Sequence, residues 1–280
     1  MASNKDNWQD IVNDEESEDA KLREKFERIH SVWDNLDLDL IERATNVLVP
    51  FLKPERWDRI QNVLSQRTQN VRFLFENPTN PSNVWACLRT LDSFGIQHVD
   101  VVMQSAKYKG KAALSQKRGM RTAMGSAKWL TLKNHVTTKA AMDQLKENGY
   151  HIVCTDVNPE SKDIRDVDWS ASGKKICIVM GNEQEGISDD VKTMADESFY
   201  LPMTGMAESF NLSVATAITC AHLSATSQEV GQGAIRNGDL DEKEYKTLLL
   251  KGALNSMDRR TVKALFKREG IVFPKDIHIA

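Results

Sequence analysis

The pattern of apolar positions changes near residue 70 of the chain. Before that point apolar residues recur every three or four positions, as in Leu22, Phe26, Ile29 and Trp33. This is the period of one face of a helix, and it predicts helices over residues 17–35, 38–49 and 54–69, the last opening with Pro54. We therefore expect an N-terminal helical extension. Residues 1–16 before it are predicted to form a disordered acidic tail, because they have too little apolar surface to offset the entropy lost on ordering.

After residue 70, short apolar runs alternate with helical stretches, which is typical of a parallel α/β sheet. The runs predict strands over residues 71–76, 99–103, 151–155, 176–180 and 199–201. Helices are predicted over 83–94, 136–148, a segment capped by Ser188, 209–224 and 240–270. Gly95 and Gly149 directly follow two of them, where glycine commonly ends a helix.

Length and composition are those of an ordinary globular protein: 280 residues, 40% hydrophobic and 28% charged. We divide the chain into a tail (1–16), an N-terminal helical extension (17–69), an α/β domain (70–228) and a C-terminal helical extension (229–280). No run approaches the roughly 20 apolar residues of a membrane span. The first twenty residues hold seven acids and one Lys, unlike a signal or transit peptide. We therefore expect no membrane segment.

The four cysteines lie far apart in apolar runs, and neither C-x-x-C nor H-x-x-x-H spacing occurs. This argues against a zinc site or a structural disulfide. We expect free, buried thiols, no bound metal and a reducing, cytoplasmic compartment. The residues concerned are Cys87, Cys154, Cys177 and Cys220.

Charge is unevenly distributed. The formal net charge is -3, to which residues 1–20 alone contribute -6. From Val101 to Met142 there is no acid, whereas Lys and Arg supply nine positive charges. This indicates a segment that faces a polyanion, the alternative being a solvated Lys-rich surface. A second, weaker basic cluster follows at helical spacing near the C-terminus: Arg259, Arg260, Lys263, Lys267 and Arg268.

The first segment with candidate chemistry is the turn dense in Asn and Pro that follows the first predicted strand. The helix after it begins near Asn83 and carries Arg89 almost two turns further on. Strand-to-helix turns of α/β sheets are common ligand sites. Taken alone, the segment favours the interpretation that Arg89 is a surface residue paired with Asp92.

Two further segments follow buried strands. Gly181 to Ser188 forms a glycine turn that carries Asn182 and Glu183. No Lys-Ser or Lys-Thr follows it, which excludes a phosphate loop, and no G-x-G-x-x-G follows the first strand, which excludes a dinucleotide fingerprint. In the segment from Leu201 to Ile218, Ser209 and Asn211 can cap the next helix and also face a ligand, and taken alone the segment favours helix capping.

Together these three segments resemble the three sequence motifs of SPOUT-class RNA methyltransferases, most closely the TrmH family of tRNA (guanosine-2′-O-)-methyltransferases. The resemblance covers about Pro54 to Ser224 and includes the stretch Gly125 to Leu130. It implies a parallel sheet flanked by helices with a deep C-terminal trefoil knot, a feature that periodicity alone does not reveal. It also implies a homodimer. The apolar helix after Ser209 suits such an interface, but packing within one subunit explains it equally well.

The resemblance further implies S-adenosyl-L-methionine as the methyl donor, held mainly by backbone groups. By position, the cofactor contacts fall at Thr155, Gly181, Leu201, Met203, Phe210 and Leu212, with Phe210 standing where the family commonly has Leu. The resemblance assigns catalysis to Arg89, oriented by Asn83, with Glu183, Ser209 and Asn211 completing the site. Arginine is a poor base. Arg89 therefore either accepts a proton in an unusual setting or holds phosphate and ribose while the proton passes to water.

The expected activity is 2′-O-methylation of a ribose in tRNA, at guanosine 18 of the D-loop. The alternatives are methylation of ribosomal RNA or of another tRNA position, and a catalytically silent RNA-binding protein. The presence of the complete set of site residues favours an active enzyme. Contacts to the RNA backbone are expected from Lys107, Lys109, Lys111, Lys117, Arg118 and Arg121.

Overall fold

A computed structural model describes residues 33, 35–78, 81–103, 125–169, 175–225, 234–235 and 238–273. The chain divides into two compact units, one from residues 1–54 and 249–280 and the other from residues 55–248. Within the described ranges, no helix is long and apolar enough to cross a bilayer.

The larger unit is built on a sheet of seven strands in its described residues. The strands are β1 (Thr68–Glu76), β2 (Ile96–Val102), β3 (Thr131–His135), β4 (Tyr150–Thr155), β5 (Lys162–Asp163), β6 (Lys175–Met180) and β7 (Glu197–Tyr200). Their order is β3-β2-β1-β6-β4-β7-β5, and every neighbouring pair is parallel. A sheet of this kind is buried on both faces, which explains its nearly continuous apolar strands.

The described helices are α1 (Leu38–Leu48), α2 (Pro54–Leu64), α3 (Pro81–Ser93), α4 (Thr138–Glu147), α5 (Asp189–Met194), α6 (Leu212–Ala225), α7 (Glu242–Leu254) and α8 (Arg259–Arg268). Short 3-10 turns occupy Val49–Phe51, Ser126–Lys128 and Ile164–Asp166. Local capping fixes several helix starts. Thr137 accepts a hydrogen bond from the Ala140 N–H to begin α4, and Ser188 accepts one from the Val191 N–H to begin α5.

The two faces of the sheet bury different cores. Side chains alternate along a strand, so Phe73 and Phe75 point to one face of β1 and Leu74 to the other. The first face forms a core with residues of α3 and α6, including Leu88, Leu91, Cys220 and Leu223. The second face forms a core with residues of α4 and α5, including Met142, Leu145 and Val191. Each large apolar side chain buried here contributes about 1.5–3 kcal/mol to folding.

The second face also buries a group of ionisable side chains on β1, β2 and β3, which we call the charge cluster: Arg72, Asp100 and His135. The Arg72 Nη1 atom lies 3.1 Å from Asp100 Oδ2, and His135 Nε2 lies 2.6 Å from Asp100 Oδ1. Burial raises the pKa of the Asp100 carboxyl, but the hydrogen bond from His135 and the charge of Arg72 outweigh it and hold that pKa below its usual range.

Beside the charge cluster, Glu244 in the first turn of α7 pairs with His98 of β2, with 2.9 Å between His98 Nε2 and Glu244 Oε2. The Thr131 hydroxyl donates a second hydrogen bond to Glu244, at 3.1 Å. Burial raises the pKa of Glu244, yet its hydrogen bonds and the neighbouring positive charges leave that pKa below the usual value. The start of α7 is thereby attached to the sheet through a carboxylate.

The smaller unit contains α1, the turn at Val49–Phe51, the end of α7, and α8. Helices α1 and α8 contact each other, and their buried residues include Ile41, Leu48, Val262 and Phe266. Asp258 caps α8 by accepting hydrogen bonds from the N–H groups of Arg260 and Thr261. The basic residues of the C-terminal cluster are exposed on α8.

The five predicted strands and the parallel class are confirmed, but three predicted boundaries are wrong. The helix predicted over 54–69 ends at Leu64, because the Thr68 N–H donates to the Gly95 carbonyl at 2.9 Å and joins the chain to the sheet. The helix predicted from Ser209 begins at Leu212. The segment predicted as helical over 240–270 is two helices, α7 and α8, with a break at residues 255–258.

Two strands, β3 and β5, were not predicted from the sequence. Strand β3 is an edge strand with the sequence TLKNH, only partly buried, and β5 has two residues. Neither carries an apolar run, so backbone pairing with a neighbouring strand defines them. The predicted acidic tail and nearly all of the predicted helix over 17–35 lie outside the described residues.

Candidate functional site

The three segments singled out in the sequence meet at one edge of the sheet. Asn77 follows β1, Gly181 follows β6, and Leu201 follows β7, while Thr155 ends β4. These four strands are consecutive in the sheet and parallel, so their carboxyl ends lie side by side. This edge is where open α/β sheets bind ligands.

Three of the predicted catalytic residues form a hydrogen-bonded group, which we call the site network: Asn83, Glu183 and Asn211. The Asn83 Nδ2 atom donates to Glu183 Oε1 at 3.0 Å, and Asn211 Nδ2 donates to Asn83 Oδ1 at 3.1 Å. Asn83 lies in the first turn of α3, Glu183 in the turn after β6, and Asn211 directly before α6. One side chain from each of the three segments is therefore joined to the others by hydrogen bonds.

Asn211 also caps α6, a role that the sequence left open between it and Ser209. Its Oδ1 atom accepts hydrogen bonds from the Ser213 N–H and Oγ–H, at 2.9 and 2.7 Å. This geometry starts the helix at Leu212 and leaves Ser209 exposed in the irregular segment 201–211. No described residue hydrogen-bonds the Ser209 hydroxyl, so it does not join the site network.

Arg89 is exposed on α3, six residues beyond Asn83. Six residues correspond to about 9 Å along a helix. Asp92, the partner considered from sequence, instead pairs with Arg67, whose side chain is 2% exposed. Among the described residues no acid pairs with Arg89. Its guanidinium is therefore available to an anion such as phosphate.

The turn that carries Glu183 is tightly closed. Asn182 and Gly186 exchange two main-chain hydrogen bonds, of 2.8 and 3.0 Å. A Cβ atom on Gly181 would lie 2.5 Å from the Gly186 carbonyl carbon, so only glycine fits that position. Gly186 has a φ of +71°, in the left-handed region that favours glycine. The backbone thus fixes the turn, with Glu183 on it.

The predicted cofactor-contact residues line the same edge. Thr155 ends β4 and donates from Oγ1 to the Val179 carbonyl at 3.3 Å. Leu201 and Met203 are half-buried, Leu212 is buried, and the Phe210 side chain is 39% exposed. Segment 201–211 contains no helix or strand. Its main-chain groups can therefore contact a ligand, which fits a cofactor held mainly by backbone.

The last two features considered from the sequence are the RNA contacts and a bound metal. The predicted RNA-contact residues, from Lys107 to Arg121, lie outside the described residues. In the part of the chain that is described, no group of three or more His, Cys, Asp or Glu side chains is arranged to hold a metal ion.

All four cysteines are free and buried, as predicted. Burial raises the pKa of the Cys87 thiol to about 12 and that of Cys154 to about 11, and it also raises the pKa of Cys177 and Cys220. Protonated, enclosed thiols are poor nucleophiles. The thiols are therefore packing groups, and the chemistry of the site does not depend on them.

Two residues beside the site, Glu76 and Asn182, were given no role from the sequence. Both are buried, and both form hydrogen bonds that join the turn after β6 to the end of β1. The only sequence signals are a carboxylate at the end of an apolar strand and an amide next to Gly181.

Comparison with known proteins gives a consistent result. The model of the SpoU rRNA Methylase family matches residues 70–221. The tRNA (guanosine(18)-2′-O)-methyltransferase of Escherichia coli K12 is 30% identical over 223 residues, 80% of this chain and 90% of that protein. The crystal structure of the A. aeolicus TrmH/SpoU tRNA modifying enzyme superposes with a TM-score of 0.62 at 29% identity, covering 73% of this chain and 98% of that one. The 23S rRNA (guanosine-2′-O-)-methyltransferase RlmB of Vibrio cholerae is 28% identical over 174 residues, 61% of this chain and 66% of that protein.

Proposed function

Because this chain belongs to the SpoU rRNA methylase family, we propose that it methylates the 2′-hydroxyl of a ribose in tRNA, at guanosine 18 of the D-loop. The observation that carries the proposal is the site network, in which Asn83, Glu183 and Asn211 from three separate segments meet at the ligand-binding edge of the sheet. The substrate is supported by the relative from Escherichia coli, which shares most of its length with this chain.

S-adenosyl-L-methionine, when bound, supplies an electrophilic methyl group on a sulfonium centre. The residues that would hold it are Thr155 and Gly181, at the carboxyl ends of β4 and β6, and Leu201, Met203, Phe210 and Leu212, in the chain from the end of β7 to the start of α6. Methyl transfer discharges a cation, so a site that excludes water assists the reaction. Leu212 and the partly exposed Phe210 supply apolar surface for that purpose.

We assign Arg89 to substrate binding, where its guanidinium holds the phosphate and ribose of the target nucleotide. Arg89 holds the 2′-oxygen in place to receive the methyl group that the bound cofactor would supply, and the proton of that hydroxyl would pass to water. A guanidinium has a reference pKa above about 12 and is a poor proton acceptor, whereas it is well shaped to bind phosphate. Asn83, held by Glu183 and Asn211, orients the substrate beside Arg89, and the exposed Ser209 hydroxyl provides a further contact.

The basic segment binds the tRNA backbone through Lys107, Lys109, Lys111, Lys117, Arg118 and Arg121. Each phosphate contact removed should lower the slope of log affinity against log salt by about one unit. We expect this decrease for Arg118→Gln in filter-binding titrations. Lys192→Gln, which removes an exposed lysine 3.8 Å from Asp189 on α5, serves as the control and should leave the slope unchanged.

We also propose that the enzyme is a cytoplasmic homodimer. The described surface beside the site exposes the apolar side chains of Met206, Phe210 and Val214, which suit burial against a second subunit. Val214→Glu should shift the mass measured by light scattering from dimer to monomer and lower methyl transfer with it. An unchanged mass would exclude this surface as the interface.

The domain organisation is part of the same proposal. Residues 70–228 form the methyltransferase domain, whose C-terminal part makes the family's trefoil knot, and residues 17–69 and 229–280 are helical extensions. The match of the family model to residues 70–221 supports the limits of the methyltransferase domain.

The function is tested by methyl transfer from labelled S-adenosyl-L-methionine to two tRNA transcripts that differ in one atom. One carries guanosine at position 18, and the other carries 2′-deoxyguanosine there. We expect label only on the first. Equal labelling of both would place the modification at another nucleotide. Labelling of ribosomal RNA fragments alone would favour the activity named for the relative from Vibrio cholerae, and no labelling of any RNA would favour a silent binding protein.

A further inference from the structure

The turn after β6 is attached to the end of β1 by a side chain that no catalytic assignment includes. The Asn182 side chain is 7% exposed, and its Nδ2 atom donates a hydrogen bond to the Asn77 carbonyl. Its Oδ1 atom accepts from the N–H groups of Gln184 and Glu185, at 2.7 and 2.9 Å. The oxygen of this amide therefore stabilises the turn itself, and its nitrogen binds the turn to the end of β1.

The anchor on β1 is itself held in place. The Asn77 N–H donates to the Val102 carbonyl at 2.9 Å, which fixes it to the neighbouring strand β2. Asn77 has a φ of 45°, in the left-handed region that Asn tolerates better than most residues. Its carbonyl accepts the hydrogen bond from the Asn182 amide.

A second connection holds the far end of the same loop. Glu76, 2% exposed, accepts hydrogen bonds from the Ser188 N–H at 2.8 Å and from the Ser188 hydroxyl at 2.6 Å. The Thr138 hydroxyl donates to the same carboxylate. Residues 182 and 188 are thus fastened to consecutive residues of the chain at the end of β1, and Glu183 lies between these two points.

We propose that Asn182 is a positioning residue for Glu183: it holds the turn against the end of β1 so that the Glu183 carboxylate meets Asn83. This inference rests on the proposed function, because it assumes that Glu183 acts in methyl transfer. Asn83 belongs to the helix that follows β1, and Glu183 belongs to the turn that follows β6. The Asn182–Asn77 hydrogen bond joins these same two segments, and so holds Asn83 and Glu183 at their 3.0 Å contact. A displacement of the order of 1 Å at a reacting site lowers rates substantially.

Two substitutions separate the two functions of the Asn182 amide. Asn182→Asp keeps the oxygen that accepts from Gln184 and Glu185 but turns an oxygen toward the Asn77 carbonyl, whereas Asn182→Ala removes both functions. The control is Asn148→Ala, which removes an exposed amide that donates to the Gln144 carbonyl at 2.8 Å at the end of α4. We expect kcat to fall about tenfold for Asn182→Asp and further for Asn182→Ala, with KM for tRNA within about twofold.

A double-mutant cycle with Glu183→Gln distinguishes positioning from general support of the fold. If Asn182 acts through Glu183, Asn182→Asp should have little further effect on kcat once Glu183 is replaced. An equal loss of kcat in both backgrounds would overturn the proposal.

Hydrogen–deuterium exchange of the full chain provides a readout that needs no activity. Exchange over residues 181–188 should be faster in Asn182→Asp and unchanged in Asn148→Ala. If the wild-type protein methylates no RNA but this exchange still rises, the proposed function fails while the anchoring role of Asn182 is supported. If neither exchange nor kcat changes in Asn182→Asp, the inference is wrong.

Discussion

The sheet carries two polar groups that differ in burial and in the kind of contact they make. In the charge cluster, Asp100 pairs with the charged Arg72 and with His135 under the helices that cover one face, and the Asp100 side chain is 1% exposed. The site network lies at the carboxyl edge, is partly or fully exposed, and joins two amides to one carboxylate. Both connect neighbouring segments of the fold, yet only the second can be reached by a substrate.

This difference predicts a separation of stability from activity. A buried charge that loses its partner keeps its desolvation cost, so the charge cluster should matter most for folding. Exposed hydrogen bonds are exchanged for bonds to water at little cost, so the site network and Arg89 should matter most for the reaction. The following substitutions test this separation, from the largest expected effect to the smallest.

Asp100→Ala should lower the free energy of unfolding by about 3–5 kcal/mol, because Arg72 is left buried without its carboxylate partner. Chemical denaturation of the full chain measures the change. Lys139→Ala is the contrasting variant. It removes an exposed ion pair on α4, in which Lys139 Nζ lies 2.6 Å from Asp143 Oδ2, and it should leave the denaturation midpoint unchanged. Similar losses in the two variants would contradict the importance given to burial.

Arg89→Ala should lower kcat/KM for methyl transfer about 10²-fold or more, since it removes the cationic group proposed to hold the substrate. Unfolding should be unaffected, because the side chain is exposed and no described acid pairs with it. Arg59→Ala removes an exposed arginine from α2 and is the matched control. A wild-type rate in Arg89→Ala would exclude the assigned role.

Asn211→Asp should lower kcat about tenfold, or about 1.4 kcal/mol, while leaving stability within about 0.5 kcal/mol. The carboxylate keeps the oxygen that caps α6, and it replaces the Nδ2 donor to Asn83 with an oxygen. Steady-state kinetics and thermal unfolding of the same sample separate the two functions. Loss of stability without loss of rate would reduce Asn211 to a helix cap.

Acid should weaken the fold through Glu244 as well as Asp100. The pKa of Glu244 is lowered in the folded protein, so its contribution is complete above the unfolded pKa of about 4.3 and is lost as the pH falls through the lower folded pKa. Glu244→Gln should cost about 1 kcal/mol at pH 7. The unfolding free energies of variant and wild type should converge below about pH 4, and a constant difference from pH 7 to pH 3 would contradict the assignment.

The sequence predicted those features that depend on local pattern. Apolar runs located the five central strands, and capping residues such as Ser188 and Gly95 located helix ends. The resemblance placed Asn83, Glu183 and Asn211 in one site, and they do meet, because the segments that carry them follow β1, β6 and β7 at the same edge of the sheet.

Features that depend on distant contacts could not be predicted in this way. Strand β3 is defined by pairing with β2, and the end of α2 is determined by the bond from Thr68 to Gly95. Asn182 and Glu76 look unremarkable in sequence, since their partners lie 105 and 112 residues away. The pairing of Asp92 with Arg67, which leaves Arg89 available, also joins residues that sequence spacing does not relate.

The most direct test of the account measures single-turnover methyl transfer and thermal unfolding on the same preparations of wild type, Arg89→Ala and Asp100→Ala. The substrate is a tRNA transcript with guanosine at position 18, at a temperature where all three proteins are folded. We expect Arg89→Ala to unfold like wild type but transfer methyl about 10²-fold more slowly, and Asp100→Ala to unfold at lower temperature but keep its rate. The opposite pattern, or loss of both properties in both variants, would contradict the separation of stability from chemistry.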